Sequence, residues 1–254
     1  MNTRAPFLSI IVPVLNEAPL LGQFLRELRK LSTDLEVIVV DGGSLDATRR
    51  IARELADRVI KVRPGRATQM NSGATIARGK VLWFLHADAE VPATSIAEIR
   101  VALTDSRVAG GCFRLRYPRP EWIYRVSDSL GNLGVSVFGF ALGDHGIFCR
   151  RSAFDRVGPY PIVPILEDAE LYRRLKRAGR MVQLRSEIIS SPRTFEKWGP
   201  CRTTLVYAVI LMLYVAGGPI PRLNRICCRF RRHVCARIKL TVGRPEAAPA
   251  PLRA

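Results

Sequence analysis

The sequence predicts a three-layer α/β fold on a mostly parallel central sheet, and three features carry that reading. Short, nearly continuous apolar runs recur through the first half of the chain. Amphipathic helical patterns separate them. A hydrophobic content of 48% over 254 residues is ample for one large core. Strands covered by helices on both faces read as unbroken apolar runs rather than as alternating ones.

Taken in order, Leu8–Val14 reads as a strand and Pro19–Leu31 as a helix, with Leu20, Leu21, Phe24, Leu25 and Leu28 at helical spacing. Leu35–Val40 is a second strand, Asp46–Ala56 a helix, Val59–Val62 a third strand and Ala67–Ala77 a helix. Val81–Leu85 and Ala93–Leu103 complete the regular half. Beyond it, Gly111–Tyr117, Gly146–Arg150 and Val182–Ile189 read as strands and Glu121–Phe138 as a helix. Glu167–Ala178 is a helix closed by Gly179. The pattern predicts one domain over residues 1–221, including an apolar helix at about 203–216, then a basic tail over 222–254 whose PEAAPAPLRA end is expected to be disordered.

Open parallel sheets bind ligands at the carboxyl ends of their strands. Here that edge is acidic: Glu17 follows the first strand, Asp41 and Asp46 the second, Asp88 the fourth. Neither a dinucleotide-binding glycine fingerprint nor a P-loop follows any strand. An acidic edge repels a free diphosphate. A Mg²⁺ or Mn²⁺ ion resolves the conflict, because a carboxylate and phosphate oxygens hold it together. The DGGSLD turn can also be read as a glycine turn with a helix cap. Glu167 and Asp168 can be read as complements to a helix dipole, where a raised pKa requires desolvation or a like-charge neighbour. Asp144 and His145 sit beside glycines, in a turn between elements or on the acceptor side of a site.

PVLNE, DGGSLD, HAD and Glu167-Asp168 occur in the order seen in family-2 glycosyltransferases, which the chain resembles to about Arg222. GRATQMNSGA, LHAD and GDHGIF resemble a bacterial subgroup labelled selenodomain-associated transferases. The resemblance implies a GT-A fold and inverting sugar transfer from a nucleoside-diphosphate sugar, UDP-linked, with a divalent cation. It implies that Pro13, Glu17 and Asp41 line the nucleotide pocket, that Arg66, Gln69 and Asn71 lie near the donor, and that Asp88 binds the metal. Asp168, beside Glu167, would be the base. Arg193 and Trp198 stand where related enzymes place loop residues that close over the diphosphate. Two positions depart from the pattern: His86 replaces the usual first acid of D-x-D, and Gly42 replaces the second Asp of Asp-Asp-Gly-Ser. A position at the membrane interface makes a lipid the expected acceptor, and the association of similar sequences with glycosylation of carotenoid acids points to a carotenoid-type acid.

The formal net charge is +18, and no acidic residue occurs between Arg222 and Glu246. An anionic membrane surface, met through residues 203–244, is the partner this predicts; the charge lies away from the acidic edge and lacks an aromatic platform, which argues against nucleic acid. The apolar stretch 203–216 is about 14 residues, short of the ~20 that span a bilayer. It therefore lies in the interface or closes the core. Met1–Pro6 leads straight into a strand without a secretory pattern, so the expectation is a cytoplasmic protein, peripheral on the inner membrane face, with reduced thiols. Cys227, Cys228, His233 and Cys235 lack the paired spacing of a zinc knuckle. The rival readings are a nucleotidyltransferase of similar fold, which would need a glycine-rich triphosphate loop that PVLNE does not provide, and a non-catalytic adaptor using the basic tail.

Overall fold

The computed structural model describes residues 5–230. The zinc alternative needs His233 and Cys235, and it lies outside those residues, as does the PEAAPAPLRA end. By contact density the chain divides into a unit ending at Arg193 and a second beginning at Thr194.

The first unit is an α/β sandwich. Its strands are β1 (Leu8–Val14), β2 (Leu35–Asp41), β3 (Arg58–Lys61), β4 (Val81–Phe84), β5 (Val108–Arg116), β6 (Phe148–Arg150) and β7 (Arg180–Ile189). They form one seven-stranded sheet in the order β3-β2-β1-β4-β6-β5-β7. β6 runs antiparallel to both its neighbours, whereas the other pairings are parallel. The unit's helices are α1 (Ala18–Leu31), α2 (Thr48–Leu55), α3 (Arg66–Ile76), α4 (Ser95–Ala102), α5 (Trp122–Ser136), α6 (Arg151–Val157) and α7 (Glu167–Ala178).

Alternation along the buried strands assigns side chains to two cores. Ile10, Val12, Val37 and Val39 pack on the side of α1 and α4, with Leu21, Leu25 and Ile99. Ile11, Ile38 and Val40 pack on the other side, with Met70 of α3 and Leu171 and Leu175 of α7. Every residue of β1 and β2 is buried, as continuous apolar runs predict. β5 squeezes between β6 and β7 because it carries Gly110 and Gly111, where a Cβ would collide with the carbonyl oxygens of Phe148 and Val182. At the amino edge, the buried Glu36 accepts hydrogen bonds from Ser9 Oγ (2.7 Å), Arg78 N (2.8 Å) and Arg78 Nε (2.9 Å). That carboxylate is satisfied and closed off, so the open chemistry lies at the opposite edge.

The second unit holds α8 (Arg193–Trp198) from Thr194 onward, α9 (Pro200–Val215) and helical residues 220–230. Within it, Phe195 meets Tyr207 edge-on at 6.2 Å and Trp198 meets Phe230 edge-on at 5.8 Å. α9 buries Thr203, Thr204, Ile210 and Tyr214 and leaves Leu205 and Met212 more than half exposed. Among the described residues no helix is long and apolar enough to cross a membrane.

Candidate active site

The loops after β1 and β2 are stitched into one surface by side-chain-to-backbone hydrogen bonds. Asn16, in a left-handed conformation (φ 56°), donates its N–H to Ser44 Oγ (2.9 Å), and its Oδ1 accepts from Leu45 N (2.9 Å). Glu17 N donates to Thr48 Oγ1 (2.8 Å), and Gly42 N to Val14 O (2.9 Å). Asn is among the few non-glycine residues that accept such a φ readily. Asp41 is fully buried: its Oδ1 accepts from Ser44 N (2.9 Å), while its Oδ2 has no hydrogen-bond partner and lies 3.7 Å from Arg49 Nε. An enclosed carboxylate oxygen without a donor marks a place where a ligand's N–H or O–H can bind. Pro13 is paired within the sheet opposite Val40.

Two residues expected near the donor are engaged in scaffolding. Gln69 is buried and donates from Nε2 to Val14 O (3.0 Å) and Val40 O (2.8 Å), fastening α3 to the ends of β1 and β2. Gly42 is compact because a Cβ there would press on the Gln69 amide at 3.2 Å. Asn71 clamps the backbone of Tyr160, donating to its O (2.9 Å) and accepting from its N (2.8 Å). Arg66, at the start of α3, is exposed and acts electrostatically on both His86 and Asp168.

Asp88 and Glu17 meet across one cation. Arg193 donates to Glu17 through both terminal nitrogens (3.0 and 3.2 Å) and to Asp88 Oδ2 (2.8 Å). Its guanidinium is held above the usual arginine range by Glu17 first and Asp88 second. Asp88 also borders a cleft of about 500 Å³ between α1, Ala87–Val91 and Ile189–Pro192, which Asp41, Arg66 and Asp168 do not line. Trp198 belongs to the second unit.

Asp168 lies buried at the start of α7, behind Leu166 in a left-handed conformation (φ 64°). Burial and the adjoining Glu167 push its pKa up to about 7, with Asp144 adding to the rise while Arg66 and the Gly143 N–H oppose it. The helix start alone would favour the charged form; desolvation and a like charge outweigh it here. The Tyr160 hydroxyl, also buried, lies beside this carboxylate without closing a hydrogen bond. A single 3₁₀ turn, Gly143–His145, covers the group. A Cβ at Gly143 would stand 2.6 Å from His86 Nε2 and 2.7 Å from Asp168 Oδ2, so this glycine fills the gap between imidazole and carboxylate. Enclosure, then Arg66, lowers the pKa of His86, although Asp144, Asp88 and Glu167 pull the other way; its enclosed Nε2 has no partner. His145 is fully buried, and desolvation brings it down to about 4, so it is a neutral core ring. Tyr160 is not legible as a site residue in the sequence; GDHG flags the turn that holds Gly143, and Arg193 is expected beside the diphosphate, but its bridge between Glu17 and Asp88 is not legible.

The donor set bears on a divalent cation. Among the described residues no group of three or more His, Cys, Asp or Glu is assembled to hold a metal. Asp88, with the unpartnered His86 nearby, fits an ion that takes one protein carboxylate and completes its shell with phosphate oxygens and water.

Comparison with known proteins places this arrangement. A "PGL/p-HBAD biosynthesis glycosyltransferase" from Mycobacterium bovis is 32% identical over 168 residues, 61% of this chain and 64% of its own length. The β-monoglucosyldiacylglycerol synthase of Trichormus variabilis is 26% identical over 69% of this chain and 42% of its own. The chain thus spans less than two thirds of the length of these relatives. A Pyrobaculum calidifontis mannosyltransferase, solved with GDP-Man and Mn²⁺, shares the fold with a TM-score of 0.63 at 20% identity, over 97% of this chain and 78% of that one. Glucosyl-3-phosphoglycerate synthase of Mycobacterium tuberculosis, solved with Mn²⁺, UDP and glucosyl-3-phosphoglycerate, gives 0.60 at 19% identity, over 84% and 81%. The fold is therefore the one these GT-A enzymes share. Residues 9–157, from β1 through α6, match the family model described as Glycosyl transferase family 2, and the chain belongs to that family.

Proposed function

We propose that the chain is a glycosyltransferase that moves a sugar from a nucleoside-diphosphate sugar, UDP-linked, to an acceptor hydroxyl or carboxyl, with inversion. The observation that carries the proposal is Asp168: a buried carboxylate, its pKa pushed up to about 7, facing the His86 imidazole across a glycine gap. A base works best with a pKa near the working pH. Asp168 takes the proton of an acceptor hydroxyl as its oxygen forms the bond to the anomeric carbon. The bond from that carbon to the diphosphate oxygen breaks, and the nucleoside diphosphate leaves with the electron pair.

On this reading Asp41, Glu17 and Pro13 line the nucleotide side, and the bare Asp41 Oδ2 receives a donor from the base or ribose. Arg66 and Arg193 face the diphosphate, and Asp88, which here accepts from Arg193, would hold a Mg²⁺ or Mn²⁺ ion. Such an ion supplies Lewis-acid neutralisation of the leaving diphosphate. Gln69 and Asn71 serve by holding the edge in shape. The acceptor is read as a lipid or carotenoid-type acid, and the relative whose name specifies diacylglycerol supports an apolar one. GRATQMNSGA and GDHGIF support the selenodomain-associated subgroup. The basic tail and α9 support a peripheral position on the cytoplasmic membrane face.

Calorimetric titration with UDP, GDP and dTDP, each with Mn²⁺ and with a chelator, tests this. One nucleotide is expected to bind in a metal-dependent way, and Asp88→Ala to abolish the metal dependence. Failure of all three to bind would reject the donor site.

A further inference from the structure

Tyr160, on the chain between α6 and α7, is fastened at every point except its hydroxyl. Its backbone N donates to Asn71 Oδ1 (2.8 Å) and its backbone O accepts from Asn71 Nδ2 (2.9 Å), so α3 holds the residue on both sides. Its ring meets Phe84 edge-on at 5.0 Å and Phe154 at 6.5 Å. Only 1% of the residue is exposed, and the hydroxyl has no hydrogen-bond partner. A buried hydroxyl without a partner is destabilising, and phenylalanine would fill the same space without that cost. Packing alone therefore does not account for a tyrosine here.

The hydroxyl faces the carboxylate read as the base. Burial, then Asp168 ahead of Cys149 and Glu167, holds its proton well above the usual phenol range, so it stays a neutral donor at any working pH. Asp168 is the partner that changes. Glu167 on its own helix and Asp144 in the 3₁₀ turn oppose its charge, while Arg66 of α3 and the Gly143 N–H favour it. His86, after β4, looks on from the far side of the Gly143 gap. A base must be charged and correctly turned when its acceptor arrives, and a donor held from α3 supplies both conditions.

We propose that Tyr160 is a positioning residue for the base: its hydroxyl donates to the Asp168 carboxylate once that group is charged, leaving the other oxygen to take the acceptor's proton. The phenol keeps its own proton throughout. Asn71, by clamping the Tyr160 backbone, serves the base at one remove. This rests on the reading of Asp168 as the base and deepens it by naming the group that sets its charge and orientation.

Tyr160→Phe keeps the ring and removes the hydroxyl. The ¹³C-carboxylate resonance of Asp168 in the full chain, assigned by its loss in Asp168→Asn, can be titrated by NMR without donor or acceptor. Asp168 is expected to hold its proton about tenfold more tightly in Tyr160→Phe, because a donor to the charged form has gone. 3-Fluorotyrosine at position 160, a stronger acid and so a stronger donor, should shift the midpoint in the opposite direction. Melting gives a second readout: Tyr160→Phe should lower Tm at pH 8.5, where Asp168 is charged, and not at pH 5, and in an Asp168→Asn background its effect should be the same at both. An unchanged or lower midpoint in Tyr160→Phe overturns the proposal, as does a rise with 3-fluorotyrosine. A Tm loss equal at pH 5 and pH 8.5 overturns it in favour of a purely structural hydroxyl. Absence of nucleotide binding in the wild type would instead reject the donor reading, and the coupling of Tyr160 to Asp168 would still be readable.

Discussion

Asp168 combines features that act in opposite directions on stability and on activity. Its pKa is up to about 7 in the fold against 3.8 for an unperturbed Asp, so the native state binds this proton more tightly than the unfolded chain. The contribution to stability therefore falls as pH rises from about 4 through 7, and above 7 the buried charge is a net cost. Asp168→Asn is expected to raise Tm relative to the wild type at pH 8.5 and to leave it nearly unchanged at pH 4, as calorimetry would show. The same change should lower turnover to a hydroxyl acceptor by about 10²–10⁴-fold. In the wild type, kcat/KM should climb through an apparent pKa near 7. Near-normal turnover of Asp168→Asn would mean another base or a carboxylate acceptor. Gly143→Ala tests the gap itself: with a methyl 2.6 Å from His86 Nε2 and 2.7 Å from Asp168 Oδ2, the pair must shift. Turnover is expected to fall by about 10²-fold, the scale of a small misplacement, with little change in nucleotide affinity. At this scale the sequence announced the acids and the glycine turn. It did not announce their pairings, because Arg193 finds Glu17 across 176 residues and Asn71 finds Tyr160 across 89.

Elements were more legible than contacts. The run of strands and helices from Leu8 to Leu103 follows from apolar periodicity alone, since strands covered on both faces and one-sided helices leave plain patterns. α6 and α8 left no such signal: they span 7 and 6 residues, less than two turns, with too few apolar positions to define a face. β5 starts at Val108, earlier than the expected Gly111, because Gly110 weakens any strand signal while being required for close approach to β6. Gln69 shows how an element is fastened by one polar group. Gln69→Leu leaves Val14 O and Val40 O without their side-chain donor in a buried place, and denaturant unfolding is expected to show a loss of about 1–3 kcal/mol. If the variant instead kept full stability and lost nucleotide affinity alone, Gln69 would be a ligand-binding residue after all.

The whole molecule is strongly cationic, with a formal charge of +18 concentrated toward the end of the chain. Sedimentation with vesicles containing anionic lipid should therefore be strong at low salt and weak at about 0.5 M NaCl, where the screening length is only a few ångströms. Deleting residues 222–254 should release the protein; persistence on the vesicles would assign the attachment to α9 or another surface. Charge could be read from composition, whereas the direction of each strand could not. β6 is three residues long, and nothing in Phe148–Arg150 declares that it opposes its neighbours.

That reversal has a consequence for how the protein can diverge. Because β6 enters the sheet beside the end of β4, with Phe148 opposite Trp83 and Phe84 N bonded to Ile147 O, the turn preceding it arrives at the same rim as the loops of the first ninety residues. The strand-end acids and the turn over Asp168 are therefore written in separate, non-overlapping stretches of the gene. A chimaera that imports residues 118–147 from a relative is expected to exchange one acceptor for another while its nucleotide preference stays with the recipient.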